Sequence, residues 1–174
     1  MDIEKLKSNL RAVPDFPVKG ILFWDITTLL KTPECLREID EALLNLYQGL
    51  GITKVVGIES RGFFFAPSLA MHLGAGFVPI RKPGKLPAET LSQSYAKEYG
   101  LDTLQIHKDA ITPDDIVLVH DDVLATGGSS HAAIELVRQS APKKIYANFL
   151  IELEALHGRA ALPDDVPVET LLVL

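Results

Sequence analysis

The sequence predicts an α/β fold built on a mainly parallel, twisted sheet flanked by helices. Three observations carry that prediction. Short β-rich apolar runs alternate with segments of helical spacing, the pattern of strands joined by helical crossovers. Two of those runs lead into loop-like stretches, GIESRG and VHDDVLATGG, and parallel sheets present ligands beyond the carboxyl ends of their strands. Finally, 174 residues of which 47% are hydrophobic suffice for one domain with a substantial core. No internal repeat, low-complexity tract or long linker divides the chain, so residues 1–174 read as a single domain.

The elements follow in order. Lys5 to Leu10 reads as the core of a short amphipathic helix, and Pro14 and Pro17 then break any helix. From Glu34 to Leu50, Leu36, Ile39, Leu43, Leu44 and Leu46 recur at helical spacing, and Gly49 and Gly51 end that helix. Lys54 to Ile58 (KVVGI) is a short buried strand. An apolar helix is expected from Arg61 to Leu73, and a second short strand from Phe77 to Ile80. Pro83 to Thr90 (PGKLPAET) is turn chemistry, and the segment to about Gly100 is polar with tyrosines. Ile116 to Val119 gives a third buried strand, Ser129 to Ser140 a helix, and Lys144 to Ile151 a fourth strand.

Charge and cysteine content exclude several classes. A net charge of -6 argues against a nucleic-acid surface, which needs clustered Lys and Arg. The N-terminus MDIEKLKSNL has no apolar core of a secretory signal, and no apolar run approaches a membrane span. The single cysteine, Cys35, has no internal partner for a disulfide, which fits a reducing cytoplasm. The five histidines are scattered without metal-ligand spacing, so no dedicated His/Cys metal site is expected.

The most informative stretch is VLVHDDVLATGGSS, Val117 to Ser130. Ala125, Thr126, Gly127, Gly128 and Ser129 lie between an expected strand and helix. Small residues there let backbone N–H groups converge on an anion, the helix dipole favours negative charge, and the hydroxyls add donors. The stretch is neither a Walker A loop nor a GxGxxG turn. Asp121 and Asp122, placed just before it, would repel a phosphate, so they suit another part of the same ligand. Vicinal sugar hydroxyls are natural donors to them, and a phosphate beside a diol describes a ribose 5-phosphate. A bare DxxxTGG is as readily a turn and a helix entry; the ordered combination is far more specific.

VLVHDDVLATGGS resembles the phosphoribosyl-pyrophosphate (PRPP) motif of type I phosphoribosyltransferases. FPVKGILFWDIT, GIESRGFFFAPSLA, VPIRKPGKLP, SYAKEYG, IHKDAI and LIELEALHGR, in order from about Asp15 to Arg159, resemble the adenine phosphoribosyltransferases within that family. The resemblance implies the type I phosphoribosyltransferase fold, with a small hood built from the N-terminal and C-terminal segments. It implies transfer of ribose 5-phosphate from PRPP to N9 of adenine, with Mg2+, giving AMP and pyrophosphate. Asp121 and Asp122 are then expected on the ribose hydroxyls and Ala125 to Ser129 on the 5-phosphate.

By the same resemblance, Ser60 and Arg61 belong to a pyrophosphate loop that Glu59 orients. Arg81, Lys82 and Lys85 form a basic cluster for pyrophosphate, with one of them reaching a neighbouring subunit of a homodimer. Leu91 to Thr103 matches a mobile catalytic loop, with Glu98 assisting proton transfer at adenine and Tyr99 over the reacting centre. Leu22, Phe23 and Leu153 match the base sandwich, and backbone groups around Trp24 read the base edge. Trp24 stands where the family commonly has Arg, and His120 where it usually has an aliphatic residue; for His120, local packing or hydrogen bonding is the expected state. Asp25 is expected to organise the hood. A hypoxanthine/guanine or xanthine enzyme would need a lysine facing the purine carbonyl, which LIELEALHGR lacks. A catalytically inactive PRPP- or nucleotide-sensing regulator is disfavoured by the complete SYAKEYG loop.

Overall fold

The computed structural model describes residues 2–16, 18–96 and 100–174. The chain divides into two compact units, Met1–Leu46 and Tyr47–Leu174. In the first, helix α1 (Ile3–Asn9) starts where the Asp2 carboxylate accepts the Lys5 N–H at 3.0 Å. Strands β1 (Arg11–Pro14) and β2 (Leu22–Asp25) then form an antiparallel hairpin. Pro14, expected only as a helix breaker, is the last residue of β1. A proline is tolerated at the end of an edge strand, where no ladder N–H is required of it. A short helix α2 (Thr27–Leu30) and the amphipathic helix α3 (Pro33–Tyr47) follow. Helix α3 stops two residues short of Gly49, whose φ of 83° suits glycine.

The second unit holds a five-stranded sheet in the order β4-β3-β7-β8-β9, every neighbouring pair parallel. Its strands are β3 (Lys54–Ile58), β4 (Gly76–Ile80), β7 (Ile116–Leu124), β8 (Lys144–Glu152) and β9 (Val168–Val173). Of the C-terminal segment expected to help build the hood, Val168–Val173 instead forms the edge strand of this sheet. Val56, Ile58, Val117, Val119, Phe149, Ile134 and Leu136 are buried in one core cluster, which places helix α5 (Gly128–Arg138) over the strands. Each such side chain contributes about 1.5–3 kcal/mol relative to exposure.

Three local expectations need correction. The helix expected from Arg61 to Leu73 is a 3-10 turn at Arg61–Phe63 followed by α4 (Ala66–Leu73). Pro67 lies in the first turn of α4, where its missing N–H costs nothing; deeper inside a continuous helix it would clash with the preceding turn. Second, the segment read as a polar mobile loop is largely a β-hairpin: β5 (Thr90–Ala96) pairs antiparallel with β6 (Leu101–His107), from Thr90↔His107 to Ala96↔Leu101. Leu104 and Ile106 bury one face of β6 with period two, which drives the pairing.

Third, β7 does not end before its acidic pair. It runs through Asp121 and Asp122 to Leu124, because the equally long β8 continues to pair with it, Asp121 opposite Phe149 and Val123 opposite Ile151. The consequence is positional. From β3 the chain adds β4 on one side, whereas from β7 it adds β8 and β9 on the other. The order therefore reverses between β3 and β7, and the crevice at their carboxyl ends is the favoured ligand position of an open parallel sheet.

Candidate functional site

Both loop motifs emerge at that reversal. After β3, a cis peptide joins Glu59 to Ser60, and the 3-10 turn from Arg61 brings Gly62 against β7. A Cβ on Gly62 would lie 2.7 Å from the His120 carbonyl oxygen and 3.2 Å from Asp121 Oδ1. Only glycine lets the loop after β3 approach β7 this closely. The approach carries Arg61 to Asp122: Nε stands 3.1 Å from Oδ2, while that oxygen is buried and has no partner with hydrogen-bond geometry. The contact is thus ionic rather than a directed hydrogen bond.

Asp122 is buried and donates its backbone N–H to Asp121 Oδ1 at 2.9 Å. Burial pushes the carboxyls of this pair above the usual carboxylate range. The Asp122 charge adds to the rise on Asp121, and the Arg61 guanidinium opposes the rise on Asp122. Both carboxyls lie towards the carboxyl end of β7, and an ionised carboxyl is an acceptor for hydroxyl donors.

The cradle follows directly. Gly127 caps α5 in the left-handed region at φ 85°, which leaves the first N–H groups of an eleven-residue helix facing the loop. Ala125 and Ser129 are half-buried, Thr126 exposed, and Gly128 half-buried. A Cβ on Gly128 would stand 3.7 Å from the Tyr95 ring and 3.9 Å from the Ala96 oxygen, so the end of β5 lies over the cradle. Gln139 of the segment after α5 ties the same hairpin down by donating to the Ser92 carbonyl at 3.2 Å.

The basic cluster is ordered by acids. Glu59 accepts from Arg81 Nε at 2.9 Å and Nη2 at 3.2 Å, and from the Lys82 backbone N–H at 2.9 Å. These bonds, the guanidinium first, hold the Glu59 carboxyl below its usual range, with the Lys85 charge adding to them. The Lys82 ammonium bonds to Asp102 of β6, whose Oδ2 also accepts from Tyr95 OH at 3.2 Å. Lys85 is exposed. Arg61, Arg81 and Lys82 therefore each have an acidic partner, and two of those partners, Glu59 and Asp102, were not read as parts of the cluster's geometry.

His120 is fully buried, with Nδ1 2.8 Å from Asn148 Oδ1 and the ring edge-on to Phe65. Burial pushes its pKa down to about 4, so it is neutral and packs locally, as expected of it. Leu153 is half-buried and donates its N–H to the Leu124 carbonyl at 2.9 Å, which sets it beside the end of β7. In the other unit, Leu22 and Trp24 share one face of β2 while Phe23 and Asp25 take the other, with Phe23 in an edge contact to Phe16 at 5.1 Å. Asp25 accepts the Thr27 N–H at 2.9 Å and pairs with Arg11 at 3.1 Å, which organises the entry to α2. Glu98 and Tyr99 lie outside the described residues.

The sequence reading also missed a contact behind the cradle. The 3-10 turn Gly158–Ala161 presses on it, since a Cβ on Gly158 would lie 2.1 Å from the Ala125 oxygen and one on Gly127 2.4 Å from the Gly158 oxygen. The lone glycine of LIELEALHGR was its only sequence signal.

Comparison with known proteins places the whole chain among similar sequences and folds. The family model described as "Phosphoribosyl transferase domain" matches residues 25–168. An adenine phosphoribosyltransferase from Phocaeicola vulgatus is 61% identical over the whole of both chains. Among solved structures, an adenine phosphoribosyltransferase from Rhodothermus marinus is 56% identical, with a TM-score of 0.93 over 99% of this chain and 98% of that one. An APRTase from Giardia lamblia complexed with 9-deazaadenine is 40% identical, with a TM-score of 0.94 over 100% and 98%.

Proposed function

Since the chain belongs to the phosphoribosyltransferase family, we propose that it transfers the ribose 5-phosphate of PRPP to N9 of adenine, giving AMP and pyrophosphate in purine salvage. One observation carries the reading: the acidic end of β7 leads directly into a helix-capping glycine turn at the point where strand order reverses. An acceptor pair beside an anion cradle is the complement of a ribose bearing a 5-phosphate. The relatives named above as adenine phosphoribosyltransferases, and the complex with 9-deazaadenine, support adenine as the base.

In the reaction, N9 forms a bond to the anomeric carbon as the bond from that carbon to pyrophosphate breaks. The sugar passes through a cationic, oxocarbenium-like state. Asp121 and Asp122 hold the ribose hydroxyls and their charge stabilises that state. The turn from Ala125 to Ser129 holds the 5-phosphate. Ser60, Arg61, Arg81, Lys82 and Lys85 receive the departing pyrophosphate, whose negative charge grows as the bond breaks. Glu98 takes the proton that adenine loses, Tyr99 covers the reacting centre, and Leu153 with Leu22, Phe23 and Trp24 binds the base. The β5–β6 hairpin, whose Tyr95 and Ala96 lie over the glycine turn, excludes water from the cationic sugar.

Among the described residues there is no group of three or more acidic, histidine or cysteine side chains able to hold a metal. The carboxylates of Asp121 and Asp122 fit a magnesium ion brought by PRPP, and would hold it together with that substrate. When bound, Mg2+ neutralises pyrophosphate charge and so improves the leaving group. We further assign the protein to the cytoplasm as a homodimer acting on small molecules through one catalytic domain spanning 1–174. Among the described residues no helix is long and apolar enough to cross a membrane.

The test is turnover. Purified protein with adenine, PRPP and Mg2+ should release AMP and pyrophosphate, and adenine should outcompete hypoxanthine. Turnover with hypoxanthine or guanine alone would redirect the assignment to another purine base. Absence of turnover with every purine, despite PRPP binding, would make the chain a sensor. Glu98→Ala should lower kcat by about 10²- to 10⁴-fold, the range of general acid–base assistance, with a smaller change in PRPP binding.

A further inference from the structure

The turn behind the phosphate cradle is held by a charged clamp that the reaction does not otherwise use. Arg159 donates through Nε to Glu152 Oε1 at 3.1 Å and through Nη2 to Glu152 Oε2 at 2.6 Å. Its Nη1 donates to the Val168 carbonyl at 2.8 Å, and Thr170 Oγ1 completes the cluster by donating to Glu152 Oε2 at 3.1 Å. One guanidinium thus joins the end of β8, two points on β9 and the 3-10 turn Gly158–Ala161. The arginine fork suits this task, because its planar donors span a carboxylate and a carbonyl at once.

That turn packs its backbone on the cradle, through Gly158 against Ala125 and Gly127, with the Ala161 side chain also against Gly127. A second tie joins the same pieces: His131 Nδ1 lies 2.8 Å from the Ala161 carbonyl oxygen, so Nδ1 carries the hydrogen, and the His131 backbone N–H donates to Gly127 at 2.8 Å. The first turn of α5, the glycine turn and the Gly158 turn therefore form one packed block. Arg159 anchors its outer side to the sheet. Glu152 is also the residue immediately before Leu153.

We infer that Arg159, clamped on Glu152, is a positioning residue that sets the shape of the 5-phosphate cradle through the Gly158 turn. The inference rests on the assignment of Ala125 to Ser129 to the 5-phosphate. It makes a distinction that general stability does not: releasing the clamp loosens the 5-phosphate subsite and leaves the pyrophosphate loop after β3 intact.

Direct titration of the purified protein with ribose 5-phosphate and, separately, with pyrophosphate and Mg2+ separates the two subsites. Arg159→Gln should weaken ribose 5-phosphate by about tenfold or more, since small displacements of a binding group carry large penalties. Pyrophosphate should stay within about twofold, less than half a kcal/mol. Arg159→Lys, which keeps the charge and loses the fork, should fall between wild type and Arg159→Gln, and KM for PRPP should rise in the same order. Parallel losses of both ligands, or no loss of ribose 5-phosphate, would overturn the inference. Should Arg159→Gln fail to fold, Thr170→Val removes both bonds that Thr170 Oγ1 makes in the cluster, to Glu152 and from Arg159, and should weaken ribose 5-phosphate alone, by about threefold; an unchanged affinity overturns the clamp. Wild-type protein that binds no ribose 5-phosphate would instead refute the assignment of the cradle itself.

Discussion

Nε of Arg61 lies 3.1 Å from Oδ2 of Asp122, so the loop after β3 sets a cation against the carboxyl that β7 carries into the crevice. Asp122 is 2% exposed, and its oxygen at this contact has no directed hydrogen bond. The guanidinium is therefore a main influence opposing the burial that favours the protonated acid. The loop after β3 and strand β7 are electrostatically linked before any ligand enters.

Replacing Arg61 with Gln should accordingly raise the proton affinity of Asp122 further, because a nearby cation is removed from a buried carboxyl. Ribose hydroxyls need the ionised form as acceptor. The acid limb of kcat/KM for PRPP should move to higher pH than in the wild type, besides any loss of pyrophosphate contact. A pH profile of both proteins measures this, and coincident acid limbs would show that Arg61 does not govern Asp122.

The acidic pair also sets a stability trade. A carboxyl whose folded pKa is raised supports the fold fully below its unfolded pKa, and that support is lost as pH rises through the folded pKa. Above the ordinary carboxylate range, a desolvated Asp121 is therefore a burden on the folded state. Asp121→Asn should raise Tm by on the order of a few degrees near neutrality, with the gain vanishing towards about pH 4. The same substitution should weaken PRPP binding. Calorimetry across pH checks the first half and PRPP titration the second; a lower Tm at neutral pH would contradict the burial argument.

Gly158→Ala tests the packing of the cradle. The added methyl would meet the Ala125 carbonyl oxygen at 2.1 Å, and backbone rather than a flexible side chain must yield. A cost of about 1–3 kcal/mol in urea unfolding is expected, as for other overpacked sites. KM for PRPP should rise while KM for adenine changes less. Equal rises in both would mean that the turn supports the whole crevice and not the phosphate end.

What the sequence revealed follows the range of the interactions involved. KVVGI was read to the residue as β3 because its strand signal is contiguous and its neighbours are turn formers. The cradle was legible for the same reason, since carboxylates, glycines and helix start lie within ten residues. The end of β7 was misread because Asp121 and Asp122 look like a strand terminus, whereas pairing with distant β8 extends the strand. The β5–β6 hairpin was hidden by its polar outer face, although Leu104 and Ile106 carried a period-two signal. Glu59 and Arg81 are 22 residues apart, and Gly158 meets Ala125 across a whole βαβ unit; no local pattern encodes either contact.

The Glu59–Arg81 pair yields the last expectation. Two roles for Glu59 predict opposite signs. As a neutraliser, it cancels the Arg81 charge, and Glu59→Gln would strengthen pyrophosphate binding. As an orienting group, it fixes the guanidinium and the Lys82 amide in one arrangement, and Glu59→Gln would weaken binding. The geometry favours orientation: Glu59 accepts two bonds from the planar fork and a third from the Lys82 N–H, and its carboxyl stays ionised through those same bonds. Gln can accept through one oxygen only, so at least one of the guanidinium bonds is lost and Arg81 gains rotamer freedom. Pyrophosphate affinity should therefore fall by about tenfold or more, the low end of the energy of one charge-assisted hydrogen bond. The loss should persist at raised ionic strength, because it arises from geometry and not from long-range charge. Pyrophosphate titrations of both proteins at low and high salt decide the sign, and tighter binding by Glu59→Gln would assign Glu59 to neutralisation.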